Sequence, residues 1–181
     1  MKDLQDSIGS VTPEARVLVD ILLLKFNQMV AILQEMDDES ANAELPMDGS
    51  NSVVQMVVHC CGAMRRWSST VNLGVEVPRD RDAEFQVCIP VAEVRDLARQ
   101  TRSSFLRDIG QTDFAAPPMK VPDGRECSWT SSCQGVLLHV LEEVSQHLGH
   151  AEITRDALRA GLTAAESRAR WQDAPSPKNV Q

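Results

Sequence analysis

Apolar positions recur along this chain at helical rather than strand spacing, and four long segments carry the pattern. The first opens at Thr12-Pro13, a cap followed by a proline in the first turn, and places Val17, Ile21, Leu24, Val30 and Leu33 on a stripe. Asp37-Asp38 and then Pro46-Met47-Asp48-Gly49 break it, so the pattern predicts a helix over about residues 13 to 36. The second begins near Ser50 or Ser52 and gathers Val53, Met56, Val57, Cys60, Ala63, Met64 and Trp67 on a broad apolar face, with His59 at its edge. Pro90 opens the third, which carries Val94, Leu97, Ala98, Phe105 and Ile109 and stops near Gly110. The fourth runs from roughly Ser132 to Ala160, burying Val136, Val140, Val144, Ala151 and Leu158, with Gly161 as its stop.

The segments between these stripes read as connections. From Leu73 to Phe85 the chain is charged and contains Gly and Pro, including Pro78-Arg79-Asp80-Arg81-Asp82, which suits a solvent-facing connection bordering a site better than a further core segment. Residues 111 to 131 hold Pro117-Pro118 and Pro122-Asp123-Gly124 and predict a loop in which Val121 and Trp129 pack locally. No internal repeat is present. The domain reading is an N-terminal extension over 1–12, one helical bundle over 13–163, and a frayed tail over 164–181 around Pro175-Ser176-Pro177, with Trp171 docking locally. The fold class is therefore all-α, a four-helix bundle.

Composition narrows the function classes. A length of 181 residues suits one substantial core. The formal charge of -8, with acidic and basic residues interspersed, offers no positive track for a phosphate backbone, so nucleic acid is not an expected partner. Met1-Lys2-Asp3-Leu4 lacks a basic stretch leading into an apolar signal core, and the run Ile21-Leu22-Leu23-Leu24 ends at Lys25. The expectation is a cytoplasmic protein without a membrane partner. Five cysteines in no paired CxxC framework, two of them the neighbours Cys60 and Cys61, predict reduced thiols.

The chemistry-bearing residues concentrate in His139-Val-Leu-Glu-Glu-Val-Ser-Gln-His147-Leu-Gly-His150, inside the fourth stripe. Glu143 and His147 are four apart and about 40 degrees apart around a helix, so both can turn to one ion. His139 and His150 fall in the same broad sector, which leaves the ligand set ambiguous from spacing alone. Antiparallel packing can bring His59 alongside as a third protein ligand, leaving a position open for water or substrate. Two imidazoles and a carboxylate suit Zn(II) first, and also Ni(II), Fe(II) or Mn(II). Taken singly, each histidine has a plainer role as a hydrogen-bonded structural group, and Glu143 could pair with a base; the concentration is what favours the metal. His139 and His150 read as outer partners of the site or surface groups, and Glu142 as solvated.

Neither the thiols nor the hydroxyls make a catalytic set. Cys60 and Cys61 have no sequence-defined base and read as small core residues, and Cys88, Cys127 and Cys133 carry no stronger warrant. Ser128, Ser131 and Ser132 define no triad. Arg65, Arg66, Arg79, Arg81 and Arg155 could meet acidic ligand groups, but each is as well explained by solvent or an ion pair.

The stretches Asn51 to Cys60, Met64-Arg65-Arg66-Trp67, Pro78 to Phe85 and Val136 to His150 resemble the DinB/YfiT-like metalloenzyme superfamily, and especially its actinobacterial mycothiol-transferase branch, over most of residues 13 to 160. The resemblance implies an up-and-down four-helix arrangement with a long crossover. It also implies a His-Glu-His ligand set, matched here by His59, Glu143 and His147, and His150 stands where Gln is frequent. In an actinobacterium the thiol it implies is mycothiol. The expected function is thus a metal-dependent S-transferase joining mycothiol or another low-molecular-weight thiol to a small electrophile. A metal-dependent hydrolase and a noncatalytic metal-dependent binding protein are the alternatives, and a homodimer is compatible with each reading.

Overall fold

The protein is described by a computed structural model over residues 12–161, all-helical and without a strand among the described residues. Helix α1 spans Pro13–Ile32 and tightens into a 3₁₀ turn over Leu33–Glu35. A short α2 (Asp38–Asn42) precedes α3 (Val53–Arg65), which widens into a π-helical segment over Arg66–Asn72. The single turn α4 (Arg81–Glu84) leads to α5 (Val91–Ile109), and a 3₁₀ turn at Ser128–Ser131 leads to α6 (Cys133–Arg159). The four long helices form the DinB-like bundle: α1 lies along α6, α6 along α3 and α3 along α5.

Local chemistry explains the helix starts. The Thr12 side chain accepts from Ala15 N, with Pro13 filling a position whose N–H would have no partner anyway. Ser52 and Gln55 form a reciprocal capping box at α3, satisfying two free backbone donors, and Gln55 also donates to Glu44. Ser132 caps α6 through Gly135 N. Past its last turn Gly161 takes φ 77°, a left-handed conformation that costs glycine little.

Two expectations need correction. On α1 the predicted stripe includes Val17, Ile21 and Leu24, but these are 55%, 41% and 53% exposed. The buried set is Leu18, Val19, Leu22, Leu23, Phe26 and Met29. Apolar residues occur on both sides of the helix, but the polar Glu14, Asp20, Asn27 and Gln28 flank Val17, Ile21 and Leu24 and mark that side as the solvent face, while Leu18, Leu22, Phe26 and Met29 pack inward. Together with its 3₁₀ turn, Pro13–Glu35 is in fact long and apolar enough to cross a membrane by length and composition, a test that core helices also pass. The second correction concerns the connection after Leu73. It is not wholly solvent-facing, because α4 turns Glu84 inward to 8% exposure.

The loop reading of 111–131 holds apart from the 3₁₀ turn, and Trp129 packs edge-on against Trp67 at 5.4 Å. Two polar ties lock the helices that flank the site. Arg65 and Ser68 both donate to Asp108, joining α3 to α5, and Asn72 Nδ2 donates to Cys133 O at 3.2 Å, joining the π-helical end to the start of α6. The proposed extension and tail, Trp171 included, lie outside the described residues.

Candidate active site

Packing of α3 against α6 brings His59 to Glu143 and His147, with one donor atom from each within 4.8 Å of the others. Glu143 Oε2 stands 3.5 Å from His59 Nε2 and 3.9 Å from His147 Nε2. The two imidazoles meet edge to face at 4.8 Å. Glu143 and His147 share a face because they are one turn apart on α6, while His59 is turned inward from the edge of the α3 apolar face and is 2% exposed.

The far side of His59 is occupied. Its Nδ1 lies 2.9 Å from Glu84 Oε2, and Arg79 donates to that carboxylate through Nε at 2.6 Å and Nη2 at 2.7 Å. Phe85 lies against the imidazole at 4.5 Å, and the Arg81 guanidinium sits over the Phe85 ring. His147 differs: its Nδ1 is buried with no hydrogen-bond partner among the described residues.

Electrostatics sort the protonation states. Burial opposes charge on His59, but the Glu143 and Glu84 carboxylates outweigh it and raise its pKa above the ordinary imidazole value. Burial, reinforced by the His59 charge, depresses His147 to about 4. Glu143 is held down at about 2, chiefly by its hydrogen bond to His59, with burial opposing. For Glu84 burial also opposes ionisation, and the Arg79 hydrogen bonds win. At neutral pH the set therefore contains an ionised carboxylate and a neutral His147, the protonation states metal ligation requires.

The remaining sequence candidates fall around this centre. His139 stacks on Trp129 at 4.2 Å, and its Nε2 is 3.9 Å from Glu143 Oε1. His150 is exposed and edge-on to His147 at 5.9 Å. Glu142 is solvated and lies 3.3 Å from His139 Nδ1. Cys60 and Cys61 are buried, and desolvation drives the Cys60 thiol well up and Cys61 to about 12, so neither supplies a thiolate at neutral pH. Arg65, Arg79 and Arg155 are spent on Asp108, Glu84 and Asp156. A cavity of about 410 Å³ opens against His147 and His150, between α6 and the 45–51 loop.

Sequence reasoning missed Glu84 and Arg79 as parts of this neighbourhood. A signal was present: Gly62, one turn beyond His59 in the interior of a helix, where glycine costs about 1 kcal/mol relative to alanine. A Cβ there would overlap Glu84 Oε1 and lie 2.8 Å from Glu84 Cδ and 3.0 Å from Arg79 Nε.

A helical bundle with an imidazole and carboxylate cluster beside an open cavity defines a candidate small-molecule enzyme rather than a scaffold. The chain belongs to the mycothiol S-transferase family, whose model matches residues 17–160. The family is DinB/YfiT-like and actinobacterial, so the protein is a transferase, its family name supports mycothiol S-transfer as the activity, and neither alternative gains from the match. No curated protein and no solved structure gives a significant match.

Proposed function

We propose that His59, Glu143 and His147 hold one divalent ion, zinc first among Zn(II), Ni(II), Fe(II) and Mn(II), and that mycothiol reacts beside it with an uncharged electrophile. The observation that carries the reading is the meeting of two imidazole nitrogens with one carboxylate oxygen at 3.5 and 3.9 Å. Bonds of about 2.0–2.1 Å to a tetrahedral ion set donors about 3.3 Å apart, close to these separations. The fit has a second support in the donor set's chemistry, since Glu143 is held ionised and His147 neutral, as ligands must be.

When bound, such an ion supplies Lewis acidity that favours the thiolate over the thiol at the remaining position. The residues do the rest. Glu143 contributes the negative charge of the set, and His59 and His147 flank it from two helices, leaving the cavity side free for approach. The thiol proton passes to solvent through that cavity. The sulfur then forms a bond to an electrophilic carbon, which either expels a leaving group or takes up a proton after addition. Met47, Met56 and Ile153 line the cavity, and among the described residues Asp48 is its one carboxylate and no Lys or Arg borders it, so apolar neutral electrophiles fit better than anions.

This chemistry needs neither nucleic acid nor a membrane, and the cytoplasm is the compartment that suits a reduced thiol and five free cysteines. The bundle limits are proposed at 13–163, so a chain ending there should retain helicity and metal. The test is metal analysis of anaerobically purified protein, then mass analysis of products from mycothiol and matched electrophiles before and after metal removal. Products should incorporate the supplied thiol only in metal-containing protein. Turnover without thiol incorporation would replace transfer by hydrolysis; binding without turnover across a broad panel would favour a noncatalytic role.

A further inference from the structure

Three features converge on the outer nitrogen of His59, each from a different part of the chain. Glu84 reaches His59 Nδ1 at 2.9 Å from α4, 25 residues downstream. Arg79, from the extended segment before α4, holds both oxygens of that carboxylate. Gly62 on α3 leaves the space that the carboxylate fills, since a Cβ there would overlap Glu84 Oε1. Glycine is the least favourable residue after proline inside a helix, so its presence there is accounted for by what it admits.

The distances also assign the tautomer. Nδ1 has two neighbours, Glu84 Oε2 at 2.9 Å and Arg79 Nη2 at 3.3 Å. A lone pair on Nδ1 would face the carboxylate at the shorter distance, acceptor against acceptor, whereas an N–H there donates to it. A proton therefore sits on Nδ1, and Nε2, which faces the Glu143 carboxylate at 3.5 Å, is the nitrogen whose lone pair a metal would take once its own proton leaves.

Resting on the metal reading above, we infer that Glu84, aimed by Arg79 and admitted by Gly62, is a positioning residue that fixes the tautomer and orientation of His59 for metal capture. It touches neither ion nor substrate; it acts through the imidazole. The 250 Å³ cavity behind Glu84, bordered by Cys61, Leu97 and Thr101, lets water take the place of a truncated side chain, so loss of the carboxylate need not unfold α3.

The experiment compares wild type, Glu84→Ala, Glu84→Gln and Gly62→Ala by zinc competition against a chromophoric chelator. The visible spectrum of the cobalt(II) form and the imidazole N–H proton signal are recorded on the same proteins. Glu84→Ala should bind zinc roughly 10–100-fold more weakly, lose the downfield Nδ1–H signal and alter the cobalt spectrum. Gly62→Ala should do the same while leaving helicity intact, because it displaces the carboxylate without deleting it. Glu84→Gln keeps an oxygen acceptor for Nδ1–H and should fall between. Zinc affinity within twofold of wild type in both Glu84→Ala and Gly62→Ala, with the N–H signal retained, overturns the inference. If Glu84→Ala fails to fold, Gly62→Ala and Glu84→Gln decide alone. Wild-type protein that binds no zinc overturns the metal centre instead; the N–H signal of metal-free wild type, present there and lost in the variants, then decides whether Glu84 holds the ring.

Discussion

His59 and His147 face the same carboxylate, yet the protein treats them in opposite ways. His59 is sealed at 2% exposure, anchored at Nδ1 by Glu84 and backed by Phe85. His147 has an Nδ1 without a partner among the described residues and borders a cavity of about 410 Å³. One wall of the centre is fixed from behind, and the other is free to adjust. On the proposed metal reading, fixing His59 limits the entropy lost on coordination, while slack at His147 lets the site adapt to what arrives through the cavity.

The most severe way to break this contrast is to remove the proposed ligands themselves. Replacing His59 or His147 with Ala should abolish stoichiometric metal and lower affinity by more than the roughly 10–100-fold typical of outer partners. Glu143→Gln, which keeps the volume, should weaken binding and thiol transfer together. Metal analysis of each purified variant checks this, and full stoichiometric binding by the His59 and His147 double variant would sink the assignment.

Acid sharpens the contrast next. His147 has a folded pKa of about 4 against an ordinary value of 6.5, so the unfolded chain binds its proton first. The metal-free protein should therefore lose stability as pH falls from about 6.5 toward 4, and His147→Leu should flatten that slope. His59 is shifted upward, so its contribution is complete below about 6.5 and fades as pH rises through its folded pKa. Urea titrations across this range separate the two. An acid limb unchanged in His147→Leu would show that other groups produce it.

Specificity should respond less. Ile153→Lys adds a cation at the rim of the cavity and should favour carboxylate-bearing electrophiles over neutral ones by roughly fivefold in relative kcat/KM, the scale of an exposed charge pair. No change in that ratio would place the electrophile elsewhere. Smallest of all is Cys60→Ala. Its thiol is buried and held protonated, so thiol-dependent turnover should persist despite a packing loss of about 1 kcal/mol. Loss of turnover with metal retained would return Cys60 to the chemistry.

Much of this was legible in the sequence where the determinants are local. The starts of α1, α3 and α6 follow from Thr12-Pro13, Ser52 and Ser132, and the pairing of Glu143 with His147 follows from helical spacing. The partnership with His59 needed bundle packing, which four apolar stripes made reasonable. Two things escaped because they depend on tertiary choice. Val17, Ile21 and Leu24 are large apolar residues on the exposed side of a helix whose polar markers, Glu14, Asp20, Asn27 and Gln28, are widely spaced. Glu84 sits in a charged segment that looks solvated until Gly62 is seen to leave room for it. The π-helical stretch Arg66–Asn72 left no periodic trace, since its residues are nearly all buried.

The 84-position separation of His59 and Glu143 along the chain sets a timing constraint on the protein in the cell. While a ribosome is still making α6, the chain displays His59 beside two open thiols, Cys60 and Cys61, a soft-metal trap with the wrong composition. Folding buries both thiols and delivers Glu143 and His147, exchanging that trap for the mixed nitrogen and oxygen set. On the proposed metal reading, metallation follows synthesis and waits for closure of the last helix rather than for the order in which His59, Glu143 and His147 leave the ribosome.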